Sequence, residues 1–180
     1  MRISRLSEVK TLNLESFDCG DCDLNEFLVN DADLYHKELL AHTYVIDEDS
    51  EIIAYFSVMA DKISNAIVPK NIWRKLRKKV PHEKHFNSYP ALKIARLAVS
   101  KKYRGKNIGT NIILSIAQKT LLDTEFIACR FITVDAYKTA QEFYEKNDFI
   151  PLTNLKDPES KTIPMYWDLK EALLFNNESI

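Results

Sequence analysis

The feature that most constrains this chain is where its glycines sit. A 180-residue chain of average usage would hold about a dozen; this one holds three, and Gly105 and Gly109 lie four residues apart. They fall between an apolar run ending at Val99 and a helical pattern beginning near Ile108. A strand, a basic glycine-containing turn and a helix N-terminus together make a phosphate site. The amides of the first helical turn lack intrahelical partners, and the helix dipole favours an anion there. Glycine lets the backbone approach phosphate oxygens closely. Lys101, Lys102, Arg104 and Lys106 add positive charge beside it. Neither G-x-x-x-x-G-K-[ST] nor G-x-G-x-x-G is present, so a nucleoside triphosphate or dinucleotide site is not supported. Spacing alone fits a plain turn equally well.

Periodicity places the elements around that turn. Leu24, Phe27, Leu28, Tyr35 and Leu39 predict a helix over Leu24 to Leu40, with Asp23 and Glu26 resembling a capping box. Thr43 to Ile46 and Ile52 to Met59 read as strands joined by an acidic turn over Asp47 to Glu51. Pro69 to Lys79 reads as a helix burying Trp73, Leu76 and Val80, stopped by Pro81. Then come a strand over Leu92 to Val99, a helix over Ile108 to Leu122 and a strand over Ile127 to Val134. A helix over Thr139 to Asn147 and strands over Ile150 to Leu155 and Ile163 to Leu169 close the chain. This order predicts an α/β fold, a mixed central sheet flanked by helices. No Pro- or Gly-rich linker interrupts it, so one domain spanning residues 1–180 is expected.

Apolar residues make up 46% and the formal net charge is -1, which excludes a global pull toward nucleic acid or an anionic membrane. No apolar run reaches the roughly 18 residues that span a bilayer. The N-terminus lacks the apolar core of a signal peptide, so a cytoplasmic location is the default expectation. Cys19 and Cys22 form a C-x-x-C pair, but a closed zinc site needs two further ligands at suitable spacing. With Cys129 the three cysteines are expected to be reduced and structural, with no metal.

Arg96-Leu97-Ala98-Val99 followed by Tyr103-Arg104-Gly105-Lys106-Asn107-Ile108-Gly109-Thr110 resembles the core motif of the GNAT superfamily of N-acetyltransferases, [QR]-x-x-G-x-[GA]. Arg104 takes its first position and Gly109 its last, while Asn107 replaces a glycine; asparagine tolerates positive φ. Ala140 to Phe149 resembles the downstream A-x-x-F-Y-x-x-x-G-F signature, with Asp148 in place of glycine. Tyr137 falls where many members carry an asparagine that contacts the coenzyme. The two motifs cover about a third of the chain. The resemblance implies acetyl-CoA as co-substrate, its diphosphate on the amides of Arg104, Gly105, Lys106, Asn107, Ile108, Gly109 and Thr110. It also implies the pantetheine arm along a splayed strand at Leu97, Ala98 and Val99. A change of apolar parity, from Leu92 and Ile94 to Leu97 and Val99, fits a bulge there or a strand buried on both faces.

In that reading a backbone donor at Val99 stabilises the tetrahedral oxyanion, and Tyr144 protonates the leaving thiolate. Asp61 and Glu38 are guesses for a base, and transfer without one is an equal reading. The acceptor is an amine of unassigned identity. Phe17 to Leu28 is similar to the F-x-C-G-x-x-x-L-x-x-F/W-L opening of a GNAT branch that includes toxins acetylating aminoacyl-tRNA. The basic segment Lys70 to His85, with Lys75, Arg77, Lys78 and Lys79, would then contact tRNA phosphates; a solvated helix face is the alternative. A homodimer and an antitoxin partner remain open. The alternative of another class is a CoA-binding sensor without catalysis.

Overall fold

The computed structural model describes residues 1–9, 11–80, 86–122, 128–153 and 159–171. Strands are β1 (Arg2–Arg5), β2 (His42–Glu48), β3 (Glu51–Ser64), β4 (Ser88–Val99), β5 (Phe131–Tyr137), β6 (Ile150–Pro151) and β7 (Thr162–Asp168). Helices are α1 (Cys22–Glu26), α2 (Ala32–Lys37), α3 (Lys70–Lys78), α4 (Ile108–Leu122) and α5 (Gln141–Glu145). Hydrogen bonding orders the strands β1-β2-β3-β4-β5-β7-β6 in one seven-stranded sheet, the mixed α/β class that the element order implied. The chain clusters into two units, residues 1–59 with 94–116 and residues 60–93 with 117–180.

In the first unit β1 pairs antiparallel with β2, and β2 with β3. The β2–β3 loop is two residues, Asp49 and Ser50, both at positive φ. Two left-handed residues are what a tight hairpin needs to match strand twist. The turn expected over Asp47 to Glu51 is thus shorter, and Asp47 joins the ladder, where it accepts from Arg2. Ile52 to Ser57 is buried without a break, as in a central strand covered on both faces. Phe17, Phe27, Leu28, Ala32, Val45 and Tyr55 form the core with Ala98. The Tyr55 hydroxyl donates to the Leu24 carbonyl at 2.6 Å, which ties the strand to α1.

The first helix departs from expectation. Asp21, not Asp23, is its N-cap, accepting from the Leu24 amide at 3.1 Å. A π turn over Phe27–Asp31 then separates α1 from α2. The extra residue of a π turn rotates everything beyond it by about 100°. Phe27, Leu28 and Ala32 therefore face the core, while Tyr35 and Leu39, expected inward, are exposed.

The second unit is built on antiparallel β5–β7 and β6–β7 pairs. Trp73 and Leu76 of α3 are buried as expected, joined by Ile72; Val80 is half-buried against them. Trp73 stacks on Tyr89 with centroids 4.9 Å apart. Pro81, expected to stop α3, lies outside the described residues, as do Ile127 and Leu155. Arg130 grips Asp168 with two hydrogen bonds of 2.7 and 2.8 Å, and the Asp168 side chain is 1% exposed. Truncating one partner strands a buried charge. Asp168→Ala is expected to cost about 3 kcal/mol in a urea denaturation experiment, most of it regained in Arg130→Met/Asp168→Met.

Candidate functional site

In the first unit, β4 leads through Ser100 into a 3₁₀ turn, Lys101–Tyr103, and then into the glycine turn. Gly105 has φ +75° and Asn107 φ +58°. Asparagine thus takes the left-handed conformation anticipated for it. A Cβ on Gly105 would meet nothing within 4 Å, so this glycine serves backbone conformation and open approach rather than packing. The first helical hydrogen bond of α4 runs from the Asn111 amide to the Asn107 carbonyl at 3.0 Å. Among the described residues, the amides of Asn107, Ile108, Gly109 and Thr110, which precede that bond, donate no hydrogen bond. Four consecutive bare amides at a helix N-terminus suit phosphate oxygens.

The cations expected to add free charge are mostly engaged. Lys101 pairs with Asp18 at 2.8 Å and Lys102 with Glu51 at 2.6 Å. Lys106 lies over the Tyr103 ring at 4.9 Å, and Arg104 donates to the Cys19 carbonyl. Glu51 and Asp18 are each held below the usual carboxylate range, chiefly by the lysine each accepts from. The turn therefore offers an anion chiefly its backbone.

The segment Phe17 to Gly20 turns out to brace this turn. Besides its side-chain pair, Asp18 accepts the Lys101 amide on its carbonyl at 3.0 Å and the Gly20 amide on Oδ1 at 2.7 Å. Gly20 sits at φ +82°, and a Cβ there would fall 2.7 Å from Lys101 Cε. The motif was legible in the sequence; its partner, about eighty residues away, was not. Cys19 is a buried wall residue whose thiol donates to Asn25 Oδ1 at 3.1 Å, and burial pushes its pKa up. All three cysteines are free, and no group of metal-ligating side chains occurs among the described residues.

Along β4 the burial pattern corrects the expected parity. Tyr89 and Ala91 are buried, then Ile94 and Ala98, so the phase changes between Ala91 and Ile94 rather than beyond Ile94. Leu97 and Val99 are half-buried. The reason is tertiary: Phe17, Phe27 and Tyr55 fill the space over Ala98, so the small residue faces the core.

In the second unit, α5 and the residues after it carry Tyr144. Phe149 N donates to Tyr144 O and Asp148 N to Glu145 O, both at 3.1 Å, with Asp148 at φ +65°. That is a Schellman motif with a left-handed aspartate where glycine is usual. Its hydrophobic contact is Tyr144 against Phe149, centroids 5.3 Å apart. Tyr144 is 6% exposed, and its hydroxyl has no hydrogen-bond partner among the described residues. Burial raises its pKa well above the ordinary phenol value. The helix is shorter than the expected Thr139 to Asn147 because residues 138–140 form a 3₁₀ turn. Tyr137 ends β5. Of the two guessed bases, Asp61 accepts from Thr133 Oγ1 at 2.5 Å and Glu38 is an exposed C-cap of α2.

A family model for the acetyltransferase (GNAT) domain matches residues 40–151. The chain belongs to the GNAT acetyltransferase family. Acetyl-CoA is its acetyl donor, and the bare amides of the glycine turn suit the donor's diphosphate. Among curated relatives, a tRNA-acetylating toxin of Mycobacterium tuberculosis is 22% identical over 138 residues, covering 76% of this chain and 78% of the toxin. AtaT complexed with acetyl-methionyl-tRNAfMet superposes with a TM-score of 0.78 at 20% identity, over 97% of this chain and 98% of AtaT. A tyrosine-to-phenylalanine mutant of AtaT, bound to the C-terminus of the antitoxin AtaR and to acetyl-CoA, gives 0.75 at 19%, over 97% of each chain. The likeness extends well beyond the third of the chain that the two motifs cover.

Proposed function

We propose that this GNAT enzyme acetylates the amino group of aminoacyl-tRNA, as a toxin whose activity an antitoxin restrains. The bare amides from Asn107 to Thr110, with the left-handed Gly105 before them, carry the donor half of the reading. The acceptor half is supported by the Phe17 to Leu28 opening and by the named activity of the mycobacterial relative. The complexes of AtaT with acetylated tRNA and with AtaR support the tRNA and the antitoxin as partners. The family match takes in residues of both units, which supports treating residues 1–180 as one catalytic domain. A tRNA substrate also favours the cytoplasm, and no helix among the described residues is long and apolar enough to cross a membrane.

In the reaction the coenzyme diphosphate is held by amides Arg104 to Thr110, and its arm runs beside Leu97, Ala98 and Val99. The neutral acceptor amine attacks the thioester carbonyl, a backbone donor at Val99 stabilises the oxyanion, Tyr144 gives its phenolic proton to the departing thiolate, and the proton shed by the attacking nitrogen returns to Tyr144 through water. A phenol suits this because it stays protonated at neutral pH.

Helix α3 supplies the electrostatic surface for a polyanion. Lys75, Arg77 and Lys78 are exposed on it, and its first turn carries no acidic residue. Lys79 plays a different part: it is half-buried and holds Glu171 at 2.6 Å. Reversing Lys75, Arg77 and Lys78 to glutamate is expected to lower tRNA affinity on the order of a hundredfold at 0.1 M salt and to flatten its salt dependence. Acetyl-CoA affinity should not change. The deciding experiment for the acceptor follows acetyl label from acetyl-CoA into a cell extract. Label in RNA, released by mild base as an N-acetyl amino acid, is the expected result; label confined to protein or small metabolites would refute the tRNA assignment.

A further inference from the structure

Arg96 stands out as a cation with no anion among the described residues. It lies on β4 immediately before Leu97, Ala98 and Val99, within the first unit. Its guanidinium is stacked over Phe27, with Cζ 4.9 Å from the ring centroid, and Phe27 itself stacks on Tyr55 at 6.3 Å. Nη1 donates to the carbonyl of the preceding residue, Ala95, at 2.9 Å. Nε is buried without a hydrogen-bond partner among the described residues. Among the described residues Arg96 enters no ion pair, although Arg2, Lys79, Lys93, Lys101, Lys102 and Arg130 all do.

A guanidinium carries five N–H donors in a rigid plane, and among the described residues only one of them is bonded to the fold. Leaving a buried donor unpaired costs free energy, which makes each such group a candidate for completion by a ligand. The stack on Phe27 fixes the plane, so the remaining donors are presented in a set direction rather than on a mobile stem. Lysine could not reproduce this, since a single ammonium offers no fork. The coenzyme diphosphate is already served by the amides that begin eight residues later. Beside the strand segment that holds the acetyl end, what is left to bind is an oxygen of the acceptor.

We propose that Arg96 is an acceptor-binding residue that donates to the acyl carbonyl oxygen adjacent to the attacking amine. The ligand class is therefore an α-amino acyl group rather than an isolated amine. The residue also supplies a reason for Phe27 within the N-terminal motif: its ring orients the guanidinium. This inference rests on the aminoacyl reading above and adds the contact by which the aminoacyl end is recognised.

Two small acceptors test it, an adenosine bearing an aminoacyl group through a 3′-amide and its analogue with that carbonyl reduced to methylene. Wild-type enzyme is expected to prefer the carbonyl compound. Arg96→Met should lose about 10- to 100-fold in kcat/KM on that compound and be unchanged on the reduced one, with acetyl-CoA affinity held within twofold. Arg96→Lys keeps the charge and the stem, and should still lose at least about fivefold on the carbonyl compound alone; it serves if the methionine variant does not fold. Equal losses on both acceptors, or a weakened affinity for acetyl-CoA, would overturn the assignment and leave Arg96 a structural residue. A wild-type enzyme that acetylates neither adenosine but modifies unrelated amines would sink the aminoacyl reading first, and this inference with it.

Discussion

Replacing Gly105 with valine should weaken acetyl-CoA binding about a hundredfold while leaving the protein folded. Gly105 is exposed at φ +75°, and an added Cβ there would touch nothing, so steric clash is not the cause. The cause is conformational. A β-branched residue in the left-handed region is strained by about 1–3 kcal/mol, and the chain escapes by rotating back to negative φ. That rotation turns neighbouring amides away from the position where they converge. An amide bonded to a charged oxygen contributes about 1.5–3 kcal/mol, so losing one or two such contacts amounts to roughly 3 kcal/mol, or two orders of magnitude in Kd. Asn107→Gly serves as the counterpart. It relaxes a residue already at φ +58° and should bind within about threefold of wild type, or tighter. Calorimetric titration of both variants checks the pair; near-equal affinities would show that the turn's backbone does not hold the coenzyme.

Tyr144→Phe carries the second large effect. The phenyl ring retains the contact with Phe149 that closes the Schellman turn, so stability and coenzyme affinity should persist. Only the proton donor is removed, and kcat should fall about 10²- to 10³-fold, the range for a positioned general acid. The pH profile gives an independent reading. Burial raises the Tyr144 pKa above its ordinary value of 10.0, so the protonated form persists throughout the working range. Deprotonation of this group should cause no alkaline loss of activity below pH 10. A Tyr144→Phe enzyme with wild-type single-turnover rates would remove the tyrosine from the chemistry.

Much of this arrangement was legible in the sequence because it is local. The order of elements follows from apolar periodicity, and the turn before α4 was marked by scarce glycine flanked by basic residues. Asn107 was legible as a residue that tolerates positive φ where glycine is usual, and Asp148 takes the same conformation. The misses have tertiary causes. Strand β1 is a short edge of Arg2-Ile3-Ser4-Arg5, which among the described residues pairs with β2 alone, and nothing in its composition announces a strand. The rotation of Tyr35 and Leu39 outward comes from one extra residue in a π turn, which periodicity cannot count. Ala98 faces the core because aromatic residues distant in sequence fill the space above it. The brace between Asp18 and Lys101 joins residues 83 positions apart, so the Phe17 to Gly20 motif could be seen without its task being visible. Tyr144 differs again, because its chemical role rested on family resemblance and not on any local pattern.

The central claim concerns the backbone amides that open α4, and amide-resolved NMR addresses it directly. Titrating acetyl-CoA into ¹⁵N-labelled protein should move the amide signals of Arg104 to Thr110 downfield together, saturating at the same Kd that calorimetry reports. If those signals stay in place while the coenzyme binds and perturbs other residues, the diphosphate lies elsewhere and the proposed site is wrong.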